Sequence, residues 1–204
     1  MDTKITIAEL KEFLDPVCAK LDSCADELNT LDGQLGDGDI GITMSKAARQ
    51  IQSILDELPE DLGRALLMIA QAITKSRASS YGTLLATGVM AMAKQVMGET
   101  QIEPNRLPQM LAAAVEKMAA RGKSALGEKT VLDAVEAIRI ALESRQDGDD
   151  AAELVDKALG EAIEHFRNKP CRQGRARIFS DKSIGLDDPG MVVIKKVTEA
   201  LAGC

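Results

Sequence analysis

Three aspartates fall within eight residues near the beginning of the chain. Asp32, Asp37 and Asp39 lie in the segment 31–41, where four glycines leave little apolar material to bury. Carboxylates this close together repel one another unless water or a cation screens them. Hard oxygen ligands on a glycine-bent backbone suit Mg²⁺ or Ca²⁺, and Mg²⁺ usually keeps coordination places for waters and phosphates. The spacing therefore indicates either a divalent-metal site or a solvated acidic turn, since aspartate and glycine are common in turns.

The composition of residues 1–204 predicts one helical domain. Hydrophobic residues make up 45% of the chain but aromatic residues only 2%, so Ala, Leu, Ile and Met must fill the core. Such a core favours helix-on-helix packing. The net charge of −7 argues against nucleic acid as a partner. We find no long apolar run, no signal-peptide pattern and no Cys-x-x-Cys spacing, and we therefore expect a soluble cytoplasmic protein without membrane contact.

Helical periodicity recurs along nearly the whole chain and predicts about eight helices without a convincing strand. Thr6 and Glu9 have the spacing of a capping box, Thr130 is a candidate N-cap, and Asp188 with Pro189 can open the last helix. We expect an all-α, antiparallel up-and-down bundle. The expected helices cover 6–21, 42–55, 62–73, 84–96, 110–118, 130–142, 151–166 and a last segment from 189.

Polar, glycine-rich loops precede every second expected helix. They cover 33–41, 76–83, 121–130, 174–177 and 184–190. In an up-and-down bundle, loops of the same parity emerge at one end, so these loops would bring carboxylates, hydroxyls, basic residues and helix N-termini together. That combination suits a phosphate ester, because cations hold its oxygens and helix N-termini supply N–H groups. The alternative is a set of ordinary turns that use glycine for their geometry.

The motifs in these loops resemble those of DhaL, the nucleotide-binding subunit of dihydroxyacetone kinases. The same domain forms the C-terminal half of single-chain dihydroxyacetone kinases. The resemblance covers essentially the whole chain, with the motifs in family order and at family-like spacing. It is carried by Leu31-Asp32, Gly36-Asp37-Gly38-Asp39-Ile40-Gly41, Ala78-Ser79-Ser80, Arg121-Gly122-Lys123, Gly127-Glu128-Lys129-Thr130, Gly174-Arg175-Ala176, Ser183-Ile184-Gly185 and Asp187-Asp188-Pro189-Gly190.

The resemblance implies an eight-helix barrel that binds ADP or ATP with two Mg²⁺ ions at one end. Asp32, Asp37 and Asp39 match the metal ligands and, with Arg175 as a source of positive charge, would form the catalytic set. The positions that match phosphate contacts are Ile40, Gly41, Ile42, Thr43, Ala78, Ser79 and Ser80. The positions that match the adenine pocket are Gly122 and Val131. The positions that match closure over the nucleotide are Arg175, Asp188, Pro189 and Gly190.

Two departures from the family pattern leave the substrate open. Ile40 stands where family members often have histidine, and the segment 76–80 reads Ser-Arg-Ala-Ser-Ser instead of Gly-Gly-Ala-Ser-Gly. The ketose is therefore dihydroxyacetone or another ketose, such as a ketotetrose. The family's ketose-binding module has no counterpart in this chain, so the resemblance implies a ketose-binding subunit in trans. The phosphoryl donor is either ATP or a phosphotransferase-system protein that rephosphorylates bound ADP, and the stand-alone L subunit favours the second.

Several alternatives stay open at this point. The chain can be a non-catalytic module that senses ADP or ATP, or a relative of the fatty-acid kinase nucleotide domain, which has a similar Asp-Gly-Asp-x-Gly turn. A purely structural bundle is a third alternative. The exposed faces show no heptad seam, so the sequence leaves the oligomeric state, including a homodimer, undecided. Lys123 and Lys129 are either basic site residues or solvated loop charges.

Overall fold

A computed structural model describes residues 4–75, 79–146 and 148–201. Helices account for most of this part of the chain. The α-helices are α1 (Ile7–Ser23), α2 (Ala25–Asp32), α3 (Ile40–Gln52), α4 (Leu62–Lys75), α5 (Ser80–Gln95), α6 (Leu107–Gly122), α7 (Val131–Glu143), α8 (Ala151–Arg167) and α9 (Pro189–Glu199). Short 3-10 helices cover Leu55–Glu57, Pro104–Arg106 and Arg175–Ser183.

The all-α prediction is confirmed. Helices α3, α5 and α6 begin two to four residues before their predicted starts at 42, 84 and 110, because glycine, proline or polar residues lie in their first turns.

The structure differs from the prediction in two further respects. The sequence predicted one helix before the aspartates, whereas the structure has two, because α2 begins directly after Cys24 at the end of α1. Helix α2 buries only Leu28, so its sequence carries almost no apolar periodicity. The second difference is a short antiparallel pair formed by β1 (Ile5–Thr6) and β2 (Gln101–Ile102). Strands of two residues are too short to leave an alternating pattern in the sequence.

The helices close into a ring around an aliphatic core. Each helix from α3 to α9 packs against the next, and α1 packs against both α3 and α9. The core is built from Leu, Ile, Val, Met and many alanines, and Ala48 and Ala86 are completely buried. Small side chains let neighbouring helices approach closely, which explains how a chain with so few aromatic residues reaches a dense interior. Within the described ranges, every helix is too short or too polar to cross a bilayer.

The predicted N-caps of α1, α7 and α9 are present in the structure. The Thr130 hydroxyl accepts from the Leu132 amide at 3.2 Å, and the Asp133 carboxylate accepts from the Thr130 amide at 2.8 Å, which completes a capping box at α7. Asp188 caps α9 by accepting from the Met191 amide at 2.8 Å. The predicted box at Thr6 is also present at α1. Each cap satisfies amides that would otherwise lack partners, so the starting points of these helices are well defined.

Candidate functional site

The three aspartates near the start of the chain form a compact acidic cluster. One ligand oxygen from each of Asp32, Asp37 and Asp39 lies within 4.8 Å of the others. Asp32 is the last residue of α2, Asp39 is the N-cap residue of α3, and Asp37 lies in the loop between the two helices. The short connection between α2 and α3 therefore brings all three carboxylates to the N-terminal end of α3.

The backbone of this loop wraps around the Asp32 side chain. The Asp32 Oδ2 atom accepts from the Asp39 amide at 3.0 Å and from the Ile40 amide at 3.4 Å. A Cβ atom at Gly36 would lie 2.2 Å from Asp32 Oδ1, which is far too close for any side chain. Glycine at position 36 is therefore needed for the loop to close over the carboxylate.

The environment of Asp32 favours a bound cation. Desolvation raises the pKa of Asp32, the charges of Asp37 and Asp39 raise it further, and the two amide hydrogen bonds lower it, with a net rise. A divalent cation would compensate both the lost hydration and the repulsion between the carboxylates. The donor set contains only hard oxygens and leaves room for other ligands, so these residues fit Mg²⁺.

The start of α3 is held against α2 by contacts that the sequence analysis did not find. The Ile42 amide donates to Asn29 Oδ1 at 3.1 Å. A Cβ atom at Gly41 would lie only 1.9 Å from the Ala25 carbonyl oxygen, so Gly41 permits the close approach of the two backbones. Asn29 was missed because its position one helical turn before Asp32 has meaning only once α2 is known to be helical.

The four residues predicted as phosphate contacts at 40–43 differ in accessibility. Ile40 and Gly41 are buried, and Thr43 is completely buried. The Ile42 side chain is 40% exposed, so it is the accessible side chain of the four. Within the described part of the chain, the Thr43 hydroxyl is the one buried side-chain oxygen or nitrogen without a hydrogen-bond partner.

The second predicted phosphate turn lies beside the first. Ser79 is the N-cap of α5, where its hydroxyl accepts from the Gly82 amide at 3.3 Å, and Ser80 is exposed in the first turn. A Cβ atom at Gly82 would lie 3.5 Å from the Thr43 methyl group, so the starts of α3 and α5 are in contact range. Ala78 lies outside the described residues. So do residues 76 and 77, where the sequence departs from the family pattern.

Arg175 reaches the acidic cluster from the other half of the chain. Its Nη1 atom lies 3.0 Å from Asp37 Oδ2, and 68% of the Arg175 side chain is exposed. Exposed ion pairs contribute little to stability. The contact matters instead because it places a guanidinium beside three carboxylates, where it can share an anionic ligand with a bound cation.

The start of α9 also packs on the start of α5. Asp188 and Pro189 begin α9, and the Tyr81 hydroxyl donates to the Gly190 carbonyl at 2.8 Å. A Cβ atom at Gly190 would lie 2.8 Å from Tyr81 Cε2, so glycine is required under the ring. Desolvation raises the pKa of Asp188 to about 7, although the Met191 amide and the Lys129 ammonium lower it. The sequence analysis did not select Tyr81 as a site residue. Its position directly after Ser80, a predicted phosphate contact, was the signal that could have identified it.

The predicted adenine positions lie on the same side of α5. Gly122 is the last residue of α6, and a Cβ atom there would lie 3.5 Å from Leu84 Cδ1. Val131 is buried in a cluster against which Tyr81 and Leu84 pack. Contacts from all five polar loops therefore converge around the starts of α3 and α5, as the loop parity predicted.

Comparisons with known proteins place this arrangement in a family. The model of the DAK2 domain matches residues 34–203. The chain is 31% identical over 164 residues to a protein of Listeria innocua named PEP-dependent dihydroxyacetone kinase 1, ADP-binding subunit DhaL; the match covers 80% of this chain and 79% of the relative. It is 30% identical over 194 residues to human triokinase/FMN cyclase, with coverage of 92% of this chain and 33% of the relative.

A solved structure has the same fold. The dihydroxyacetone kinase from C. freundii in complex with AMP-PNP and Mg²⁺ superposes with a TM-score of 0.77 at 25% identity, covering 100% of this chain and 35% of that chain. The chain thus spans about a third of the length of that kinase and of the human relative. Since the family model matches most of the sequence, the chain belongs to the DAK2 domain family.

Proposed function

We propose that the chain is the nucleotide-binding, phosphoryl-transfer subunit of a ketose kinase, with dihydroxyacetone as the first candidate substrate. It would present ADP or ATP with two Mg²⁺ ions to a ketose bound on a separate subunit. The observation that carries this proposal is the acidic cluster of Asp32, Asp37 and Asp39 beside the starts of α3 and α5. The name of the Listeria relative and the AMP-PNP and Mg²⁺ in the C. freundii complex support the choice of ligands.

In this proposal the chain contributes alignment and charge. Asp32, Asp37 and Asp39 would hold the two Mg²⁺ ions, which would supply positive charge to phosphate oxygens. Arg175 adds a guanidinium next to Asp37, where it can donate to the terminal phosphate. The first amides of α5 have no intrahelical partner, so the turn at Ser80 can donate to phosphate oxygens. Phosphoryl transfer needs little more from a protein than this positioning.

The remaining predicted contacts would hold the nucleoside and close the site. Gly122 and Val131 line the adenine side in this proposal, next to the first turns of α5. The segment Asp188–Gly190 is held by the hydrogen bond from the Tyr81 hydroxyl to the Gly190 carbonyl. Together with Arg175, this segment would close over the nucleotide. These assignments make the interface of α5 with α7 and α9 the nucleoside half of the site, and the α2–α3 loop its phosphate half.

The proposed reaction has two candidate phosphoryl donors. The Listeria relative, matched over 79% of its length, is named PEP-dependent. This favours bound ADP that a phosphotransferase-system protein rephosphorylates. An ATP-consuming subunit for another ketose is the second candidate, because Ile40 and the segment 76–80 depart from the family pattern and the human triokinase is almost equally similar. In both modes a ketose-binding subunit acts in trans.

Replacement of one metal ligand tests whether the site is catalytic or only senses nucleotide. With Asp37→Asn we expect phosphoryl transfer to dihydroxyacetone, measured with a ketose-binding kinase subunit in trans, to fall at least about 100-fold, because transition-state charge loses its metal partner. ADP should still bind, as measured by calorimetry. Asp56→Asn, in the exposed 3-10 helix Leu55–Glu57, is the control and should keep full activity. An Asp37→Asn protein with undiminished turnover would refute the catalytic role of the cluster.

A further inference from the structure

Lys129 is a buried lysine whose ammonium group is completely hydrogen-bonded. The side chain is only 2% exposed. Its Nζ atom donates to the carbonyl oxygens of Lys169 at 2.8 Å, Ser183 at 2.8 Å and Arg167 at 3.2 Å. An ammonium group has three donors, and all three are used here. A buried charge is tolerated only with such partners, so the contacts specify one conformation of the acceptor backbone.

The three acceptors lie at the two ends of one loop. Arg167 and Lys169 precede residues 170–182, and Ser183 follows them; we call residues 170–182 the Arg175 loop. Two further hydrogen bonds join the same ends: the Gly185 amide donates to the Arg167 carbonyl at 2.8 Å, and the Cys171 amide donates to the Ser183 hydroxyl at 2.7 Å. Lys129 is therefore the centre of a set of contacts that closes the base of this loop.

The backbone conformation of Lys129 is also unusual. Its φ is 62°, a left-handed conformation that is unfavourable for a residue with a Cβ atom. Lys123 in the same loop has φ 50° but an exposed side chain. Burial lowers the pKa of Lys129, while the nearby Asp188 and Asp187 raise it and so favour the charged form.

We propose that Lys129 is a positioning residue of the site: by fixing the base of the Arg175 loop, it holds the Arg175 guanidinium beside Asp37. The Arg175 Nη1–Asp37 Oδ2 distance of 3.0 Å is the contact that depends on this anchoring. The effect on nucleotide binding rests on the proposed function, whereas the anchoring itself is a property of the chain without ligand.

The anchoring is tested by comparing Lys129→Met with Lys123→Met, two lysines of one loop that differ in burial. Methionine keeps approximately the length of the side chain but removes the ammonium donor, and the Arg167 carbonyl keeps its hydrogen bond from the Gly185 amide. We expect hydrogen–deuterium exchange of the Arg175 loop and the residues next to it to rise at least about tenfold in Lys129→Met, while α1 and α4 exchange as in the wild type. Lys123→Met should exchange like the wild type. Wild-type exchange of the loop in Lys129→Met would overturn the proposal.

A double-mutant cycle separates positioning from a general loss of stability. Calorimetry with Mg·ADP is carried out on Lys129→Met, Arg175→Met and the double variant. If Lys129 acts through Arg175, the two losses of affinity are not additive, and the double variant is close to Arg175→Met alone. Strictly additive losses would overturn the positioning role. If the wild type binds no Mg·ADP while Lys129→Met still loosens the loop, the proposed function fails and the anchoring stands.

Labelling of the wild-type protein keeps the proposal testable if Lys129→Met does not fold. Lysine side chains are acetylated with a limiting amount of an N-hydroxysuccinimide ester, and each site is quantified by mass spectrometry. We expect Lys129 to react at least about tenfold more slowly than Lys123, because opening of the loop base must precede its modification. Equal rates at the two lysines would overturn the anchoring.

Discussion

At the scale of single residues, Asp188 is both the N-cap of α9 and a residue of the proposed nucleotide site. It caps α9 through the Met191 amide and lies near the Lys129 ammonium. Desolvation nevertheless raises its pKa from 3.8 to about 7. The carboxyl is therefore held in an environment that opposes its charged form, at the point where α9 meets the proposed nucleotide site.

The raised pKa of Asp188 has a consequence for stability. Between pH 3.8 and about 7 the unfolded chain has lost the Asp188 proton while the folded chain retains it. Folding then takes up a proton, so the free energy of unfolding decreases as pH rises through this window. We expect Asp188→Asn to flatten this decrease in urea titrations between pH 4 and pH 7.5, measured in EDTA. Asp56→Asn should keep the wild-type slope; an unchanged slope in Asp188→Asn would contradict the assignment.

Single residues also mark the limit of what the sequence predicted about the site. The three aspartates were identified from residue types and spacing, and Arg175 and the Asp188 turn from the family resemblance; the structure brings them to one end of the bundle. Lys129 was left between two interpretations because its three acceptors are 38 to 54 residues away along the chain. Such contacts leave no local pattern, since backbone carbonyls are available at every position.

At the scale of elements, the contact between α2 and α3 determines the geometry of the acidic cluster. Gly41 allows this contact, because any Cβ atom there would collide with the Ala25 carbonyl oxygen at 1.9 Å. We expect Gly41→Ala to lower the free energy of unfolding by about 1–3 kcal/mol, measured by urea denaturation. Gly160→Ala is the control, because Gly160 lies in α8 with nothing near its Cβ position, and it should gain about 0.5–1 kcal/mol. A Gly41→Ala protein as stable as the wild type would show that α2 and α3 can separate freely.

The capping boxes of α1 and α7 allow a direct comparison between a helix start away from the proposed site and one beside it. Thr6→Ala and Thr130→Ala each remove an N-cap hydroxyl, and we expect each to cost about 1 kcal/mol of stability in urea denaturation. Only Thr130 adjoins Lys129 and the proposed adenine position Val131. Calorimetry should therefore show weaker Mg·ADP binding for Thr130→Ala alone. Equal losses of affinity in the two variants would argue against a local role for the start of α7.

The helix starts that have a cap signal were predicted correctly, whereas α3, α5 and α6 begin two to four residues before their predicted starts. The capping box at Thr6, the N-cap at Thr130 and the Asp188–Pro189 start of α9 follow from local spacing, because side-chain and backbone atoms only a few residues apart decide them. Helix α2 was missed because it buries only Leu28. Without α2, no sequence pattern pointed to Asn29, whose side chain accepts a hydrogen bond from the Ile42 amide at the start of α3.

At the scale of the whole molecule, the helices form a closed ring in which α1 packs against both α3 and α9. The Arg175–Asp37 ion pair and the Tyr81–Gly190 hydrogen bond bring the starts of α3, α5 and α9 together at one end of this ring. The composition predicted this bundle because few aromatics and many alanines favour close helix packing.

The central claim is that this rim binds an adenine nucleotide together with divalent cations held by Asp32, Asp37 and Asp39. Native mass spectrometry of protein purified without added nucleotide, then with Mg·ADP and finally with EDTA, tests it most directly. We expect one ADP and two Mg²⁺ ions per chain, already present after purification or gained on addition, with the metals lost in EDTA and in Asp37→Asn. A chain that carries no nucleotide under any of these conditions would contradict the account.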